Sequence, residues 1–81
     1  FDQLIRSATS IGANVVEGGS GSTKKDFINF FFVALKSANE TKYWLCLIRD
    51  TVHVNQDTVE ALLKEADEIS KIIAAIILSA K

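Results

Sequence analysis

An 81-residue chain makes one domain at most, and a chain so short buries only about 60–65% of its unfolded surface. Nine basic against ten acidic side chains leave a net charge of −1, which excludes the overall basic excess usual in nucleic-acid binders and leaves such a role only a local patch. Hydrophobic residues make up 48% of the chain and mean hydropathy is +0.20, more apolar content than one small core holds, which points to association.

The spacing predicts a first helix from about Phe1 to Val16. Phe1, Leu4, Ile5, Ala8, Ile11, Gly12, Val15 and Val16 recur at helical intervals and form one apolar face. Arg6, Ser7, Ser10, Asn14 and Glu17 fall on the opposite, polar side. Glu17-Gly18-Gly19-Ser20-Gly21-Ser22 then interrupts the pattern, as glycine-rich stretches do where a helix ends. It reads as an interhelical connection and not as a phosphate cradle, because no strand precedes it and the GxxxxGK[ST] spacing is unmet.

Thr23-Lys24-Lys25-Asp26 fits a capping box for a second helix over 24–52. From Phe27 to Leu35 that helix is apolar nearly all the way round, so it needs neighbours on every side. His53 to Asp57 breaks the pattern again, and Asn55 or Asp57 is a candidate cap for a third helix over 57–80. Val59, Leu62, Leu63, Ala66, Ile69, Ile73, Ile76, Ile77 and Ala80 make its apolar face; beyond Lys71 its polar face disappears. Short loops between long helices make neighbours antiparallel, giving an all-α, up-and-down arrangement. Three helices leave apolar surface on the second and third uncovered. A fourth helix before Phe1 is the simplest cover, and subunit contacts are the other.

No catalytic, cofactor-binding or metal-ligating set emerges. His53, the single histidine, reads as a surface or capping residue, since a metal site needs several ligands at matching spacing. Cys46, the single cysteine, excludes an internal disulfide, is compatible with a reducing cytoplasm, and lies among Trp44, Leu45, Leu47 and Ile48 as a small hydrophobe. The charge-free run from Ile72 to Ala80 is too short to cross a bilayer. Arg6, Ser10, Asn14, Glu17 and Lys25 form a polar cluster, read as a clasp on the interhelical loop in which Lys25 pairs with Glu17. Lys24, Lys25, Lys36, Lys42 and Arg49 are the candidate phosphate contacts of a nucleic-acid reading.

Three motifs carry a family resemblance: Ser10-Ile11-Gly12-Ala13-Asn14-Val15-Val16-Glu17-Gly18, then Lys24-Lys25-Asp26-Phe27-Ile28, then Ala34-Leu35-Lys36-Ser37-Ala38-Asn39-Glu40-Thr41-Lys42-Tyr43-Trp44-Leu45. In this order the chain resembles the four-helix-bundle proteins encoded in intervening sequences of bacterial 23S ribosomal RNA genes. The resemblance implies an up-and-down four-helix bundle whose first helix precedes Phe1, and a ring-forming homo-oligomer, typically a pentamer. It also extends to accessory proteins that bind nucleic acid beside the reverse transcriptase of diversity-generating retroelements. Where family members often carry basic loop residues this chain has Ser20 and Gly21, which weighs against that role. The expectation is therefore a non-catalytic, self-associating cytoplasmic scaffold without cofactor, membrane or small-molecule substrate. The alternative is an RNA- or DNA-binding accessory protein.

Overall fold

The computed structural model describes residues 2–20, 23–51 and 53–81. Three helices make up the fold: α1 (Asp2–Gly18), α2 (Lys24–Thr51) and α3 (Gln56–Ala80), with no strand among the described residues. Phe1 and Val52, expected at the outer ends of the first two helices, lie outside the described residues, as do Gly21 and Ser22 of the first loop.

Local chemistry sets the helix ends. α1 continues through Glu17 and Gly18, beyond the expected limit at Val16. Its last turn closes with Gly19 N–H on the Val15 carbonyl (3.0 Å) and Ser20 N–H on that of Glu17 (3.3 Å). Thr23 Oγ1 accepts from Asp26 N–H at 3.2 Å and so caps α2. Asp26 in the first turn also offsets Lys24 and Lys25 at the positive end of the helix dipole. Of the two candidate caps for α3, Asn55 does the work: its backbone is extended and its side chain accepts from Thr58 N–H at 3.1 Å. α3 therefore starts at Gln56, one residue before the expected 57.

α2 is the hub. α1 and α3 both pack against it, while no Cα of α1 comes within 8 Å of α3 among the described residues. Packed helix axes stand about 8–10 Å apart. The Cα extents of 45 × 22 × 13 Å thus fit three helices on three corners of a square, α2 at the shared corner. Between α2 and α3 lies the apolar core of Phe31, Ala34, Ile73 and Ile77, with Ile11, Phe27, Leu35 and Ile76 against it. The Phe27 and Phe31 rings stack, centroids 4.4 Å apart. Among the described residues no large side chain is fully buried, and of the buried apolar side chains Ala34 and Ala38 reach zero exposure. The core is thin because α1 and α3 do not meet.

Candidate functional site

α1 meets α2 through its hydroxyl-bearing edge. Ser7, assigned by periodicity to the solvent side, is buried, as are Ser37 and Thr41 on α2. Thr41 Oγ1 lies 3.0 Å from Ser7 Oγ and 2.9 Å from the Ser37 carbonyl. Ser37 Oγ donates to Ser10 Oγ at 2.9 Å, and Asn14 Nδ2 donates to the Ser10 carbonyl at 2.8 Å and its hydroxyl at 3.1 Å. One turn on from Asn14, Gly18 is buried against α2. A Cβ there would meet the Phe31 ring at 2.8 Å and Phe30 Cβ at 3.1 Å. Small and hydroxylated residues let the two backbones approach, and each buried hydroxyl finds a partner: no buried side-chain polar atom among the described residues lacks one.

This orientation has a consequence for the rest of α1. With Ser7, Asn14 and Gly18 against α2, the residues about 100° further round face the open corner. Leu4, Ala8, Ile11 and Gly12 form one wall of an apolar hollow of about 340 Å³. Leu62, Glu65 and Ile69 of α3 form the other wall, and Thr41 and Leu45 of α2 the floor. The α3 wall continues past Ile72 and Ile76, which with Phe27 line a second hollow of about 460 Å³. Exposed apolar side chains on the α3 wall are Leu62 at 44%, Ile69 at 41% and Ile72 at 59% exposure, while Ile5 and Val16 are exposed on α1 outside both hollows. A smaller apolar patch, Phe32, Leu35, Ala74 and Leu78 beside Lys81, lies on the outer side of the α2–α3 pair.

Residues 1–75 match the profile of the 23S rRNA-intervening sequence protein family. The chain belongs to this family. Among solved structures it is similar to a protein of unknown function from the S23 ribosomal protein family of Bacteroides thetaiotaomicron. The two share 42% identity with a TM-score of 0.89, over 94% of this chain and 70% of that one. No curated protein matches the chain.

Within this family fold the residues expected to act together separate. Of Arg6, Ser10, Asn14, Glu17 and Lys25, the structure joins only Ser10 and Asn14, and their further partner is Ser37. Arg6, Glu17 and Lys25 are exposed, and no ion pair among the described residues links Lys25 to Glu17. Lys25 shares the outer ridge of α2 with Phe32 and Lys36, turned away from α1. The clasp is thus corrected to a seam between helix sides, with Ser7, Ser37 and Thr41 as its unforeseen members. Their mark in the sequence is the spacing of Ser7, Ser10 and Asn14 against Ser37 and Thr41. A scheme that sorts residues by polarity alone reads that spacing as solvent surface.

The five candidate phosphate contacts also divide. Lys24, Lys25 and Lys36 are exposed. Lys42 Nζ instead donates to Asp67 Oδ1 at 3.3 Å and to Ser70 Oγ at 3.1 Å, tying α2 to α3. Arg49 holds Asp50 at 3.0 Å and Glu60 at 3.1 Å, and these two hydrogen bonds raise its pKa. Asp67 also receives Lys71 at 2.9 Å; hydrogen bonds from Lys71 and then Lys42 hold its carboxyl below the usual range. His53 is exposed, and Cys46 is a half-buried free thiol. Among the described residues no group of three or more His, Cys, Asp or Glu could hold a metal ion, and no helix is long and apolar enough to cross a membrane.

Proposed function

We propose that this chain is a non-catalytic helical module that works by association, as an interaction scaffold in the cytoplasm. In this reading a further helix of the same polypeptide fills the α1/α3 groove and completes an up-and-down four-helix bundle. Outer apolar residues then join copies into a homo-oligomer. One observation carries the reading: α1 packs on α2 through serines, asparagine and glycine, and so turns its apolar stripe toward an open groove. Water-exposed apolar walls on this scale mark interaction surfaces. The Bacteroides relative supports it as well, since part of that chain lies outside the aligned region. Sedimentation velocity of the full-length polypeptide at micromolar concentration tests the reading. A discrete oligomer is expected, and a monomer at all concentrations overturns self-association.

A further inference from the structure

We infer that the helix filling the α1/α3 groove carries a lysine or arginine facing Glu65. This rests on the groove-filling helix proposed above and specifies its chemistry.

Among the described residues Glu65 is the one charged side chain lining the hollow between Leu4, Ala8, Leu62 and Ile69. Leu62 precedes it by three residues and Ile69 follows it by four, so all three stand on one ridge of α3. No ion pair among the described residues includes Glu65, although the neighbouring acid Asp67 holds two lysines. Across the hollow, α1 offers Ala8 and Gly12, too short to shield a carboxylate, and beyond Gly12 there is open space.

In the open groove water solvates Glu65. A docked helix removes that water, and a carboxylate against apolar walls must then be paired or neutralised. A cation at that level restores the lost solvation and adds charge complementarity; an acidic or wholly apolar helix does neither. The apolar part of the occupant follows from the walls. Leu62, Ile69, Ile72 and Ile76 recur at steps of seven, three and four residues, which suits a partner helix with a heptad stripe. Glu65 thereby makes a generally apolar groove selective for one class of helix.

The test uses two fluorescent synthetic helices of about 25 residues, the length of α3. Both carry leucine at the a and d positions and differ at one central inward position, lysine in one and glutamate in the other. Binding to the 81-residue protein is read by anisotropy. The lysine helix is expected to bind about tenfold more tightly, a difference of 1.4 kcal/mol. Glu65→Gln, which preserves shape, should abolish the preference and Glu65→Lys should invert it. A preference that survives Glu65→Gln, or failure of both helices to bind, overturns the inference. Sedimentation of the same samples separates the two readings: a monomer that selects the lysine helix removes self-association alone, whereas an oligomer that binds neither helix removes the groove inference alone.

Discussion

A Cβ on Gly18 would stand 2.8 Å from Cε1 of Phe31, closer than real Cβ contacts come. Phe31 cannot swing aside freely, because it is buried in the core and stacked on Phe27. Gly18 is therefore a point of close approach between α1 and α2. Gly18→Ala should destabilise the protein by about 1–3 kcal/mol, the usual cost of overpacking. Gly12 makes the internal comparison, since a Cβ there meets nothing within 4 Å. Gly12→Ala should stabilise by roughly 0.5–1 kcal/mol through helix propensity. Urea midpoints read both, and two shifts of the same sign would defeat this account of the glycines.

The hydroxyl seam predicts non-additivity. Thr41 Oγ1 has one proton and two acceptors in reach, Ser7 Oγ and the Ser37 carbonyl. Ser7→Ala leaves Thr41 its carbonyl partner, and Thr41→Val leaves Ser7 its bond to the Leu4 carbonyl. Each single change should cost about 0.5–1.5 kcal/mol. The double variant should cost less than the sum by about 0.5 kcal/mol or more, because both single changes remove the same Ser7–Thr41 hydrogen bond. Strict additivity in denaturant titrations would show that the two hydroxyls do not act together.

The Lys42–Asp67–Lys71 cluster should appear in the pH dependence of stability. Hydrogen bonds from Lys71 and Lys42 hold Asp67 below its unfolded value of 3.8. Its contribution is therefore complete above that value and is lost as pH falls through the lower, folded pKa. Lys71 is raised above 10.5 by Asp67, so its share is complete below 10.5 and is lost as pH rises through the folded value. Asp67→Asn removes both effects. Its deficit in urea midpoint should be present at pH 7, vanish once the pH has fallen below the lowered, folded pKa of Asp67, and shrink again in the alkaline limb. With Asp67 at 45% and Lys71 at 75% side-chain exposure, added salt should weaken the effect. A deficit that does not change with pH would mean that the variant acts through packing.

The three helices and the Thr23 cap were legible in the sequence because periodicity and capping are local rules. So was the excess of apolar surface, seen now in exposed Phe32, Val33, Ile72 and Leu78. The direction in which α1 faces was not. Hydrophobicity places Leu4 and Ala8 toward the nearest helix, yet Ser7 and Gly18 take that position, beside Ile11, which does reach the core. Close approach between backbones depends on side-chain size as well as polarity, and periodicity registers only polarity. The expected bond between Lys25 and Glu17 failed for a similar reason: proximity along the chain does not set helix rotation, and α2 turns Lys25 outward. Polarity alone places Glu65 on the solvated face of α3, yet with its ridge mates Leu62 and Ile69 it lines a hollow.

The two apolar surfaces are separable by substitution. Leu78 is 72% and Phe32 44% exposed, beside one hollow on the outer side of α2 and α3. Neither is needed to close the α1/α3 groove. Replacing exposed side chains costs a folded monomer little, generally within about 0.5 kcal/mol, though Phe32 also gives up Lys81 Nζ 5.3 Å above its ring. At a contact between copies, the same change removes apolar area from a desolvated interface. The pair Phe32→Ser with Leu78→Ser should raise the self-association constant Kd about tenfold or more, with helical circular dichroism unchanged. Ile69→Ser, on the groove wall, should leave that Kd alone and weaken helix docking. Sedimentation velocity and peptide anisotropy, applied to both variants, read the two losses separately. An unchanged Kd in the outer pair would move the contact between copies away from Phe32 and Leu78; a Kd raised by Ile69→Ser alone would place it in the groove.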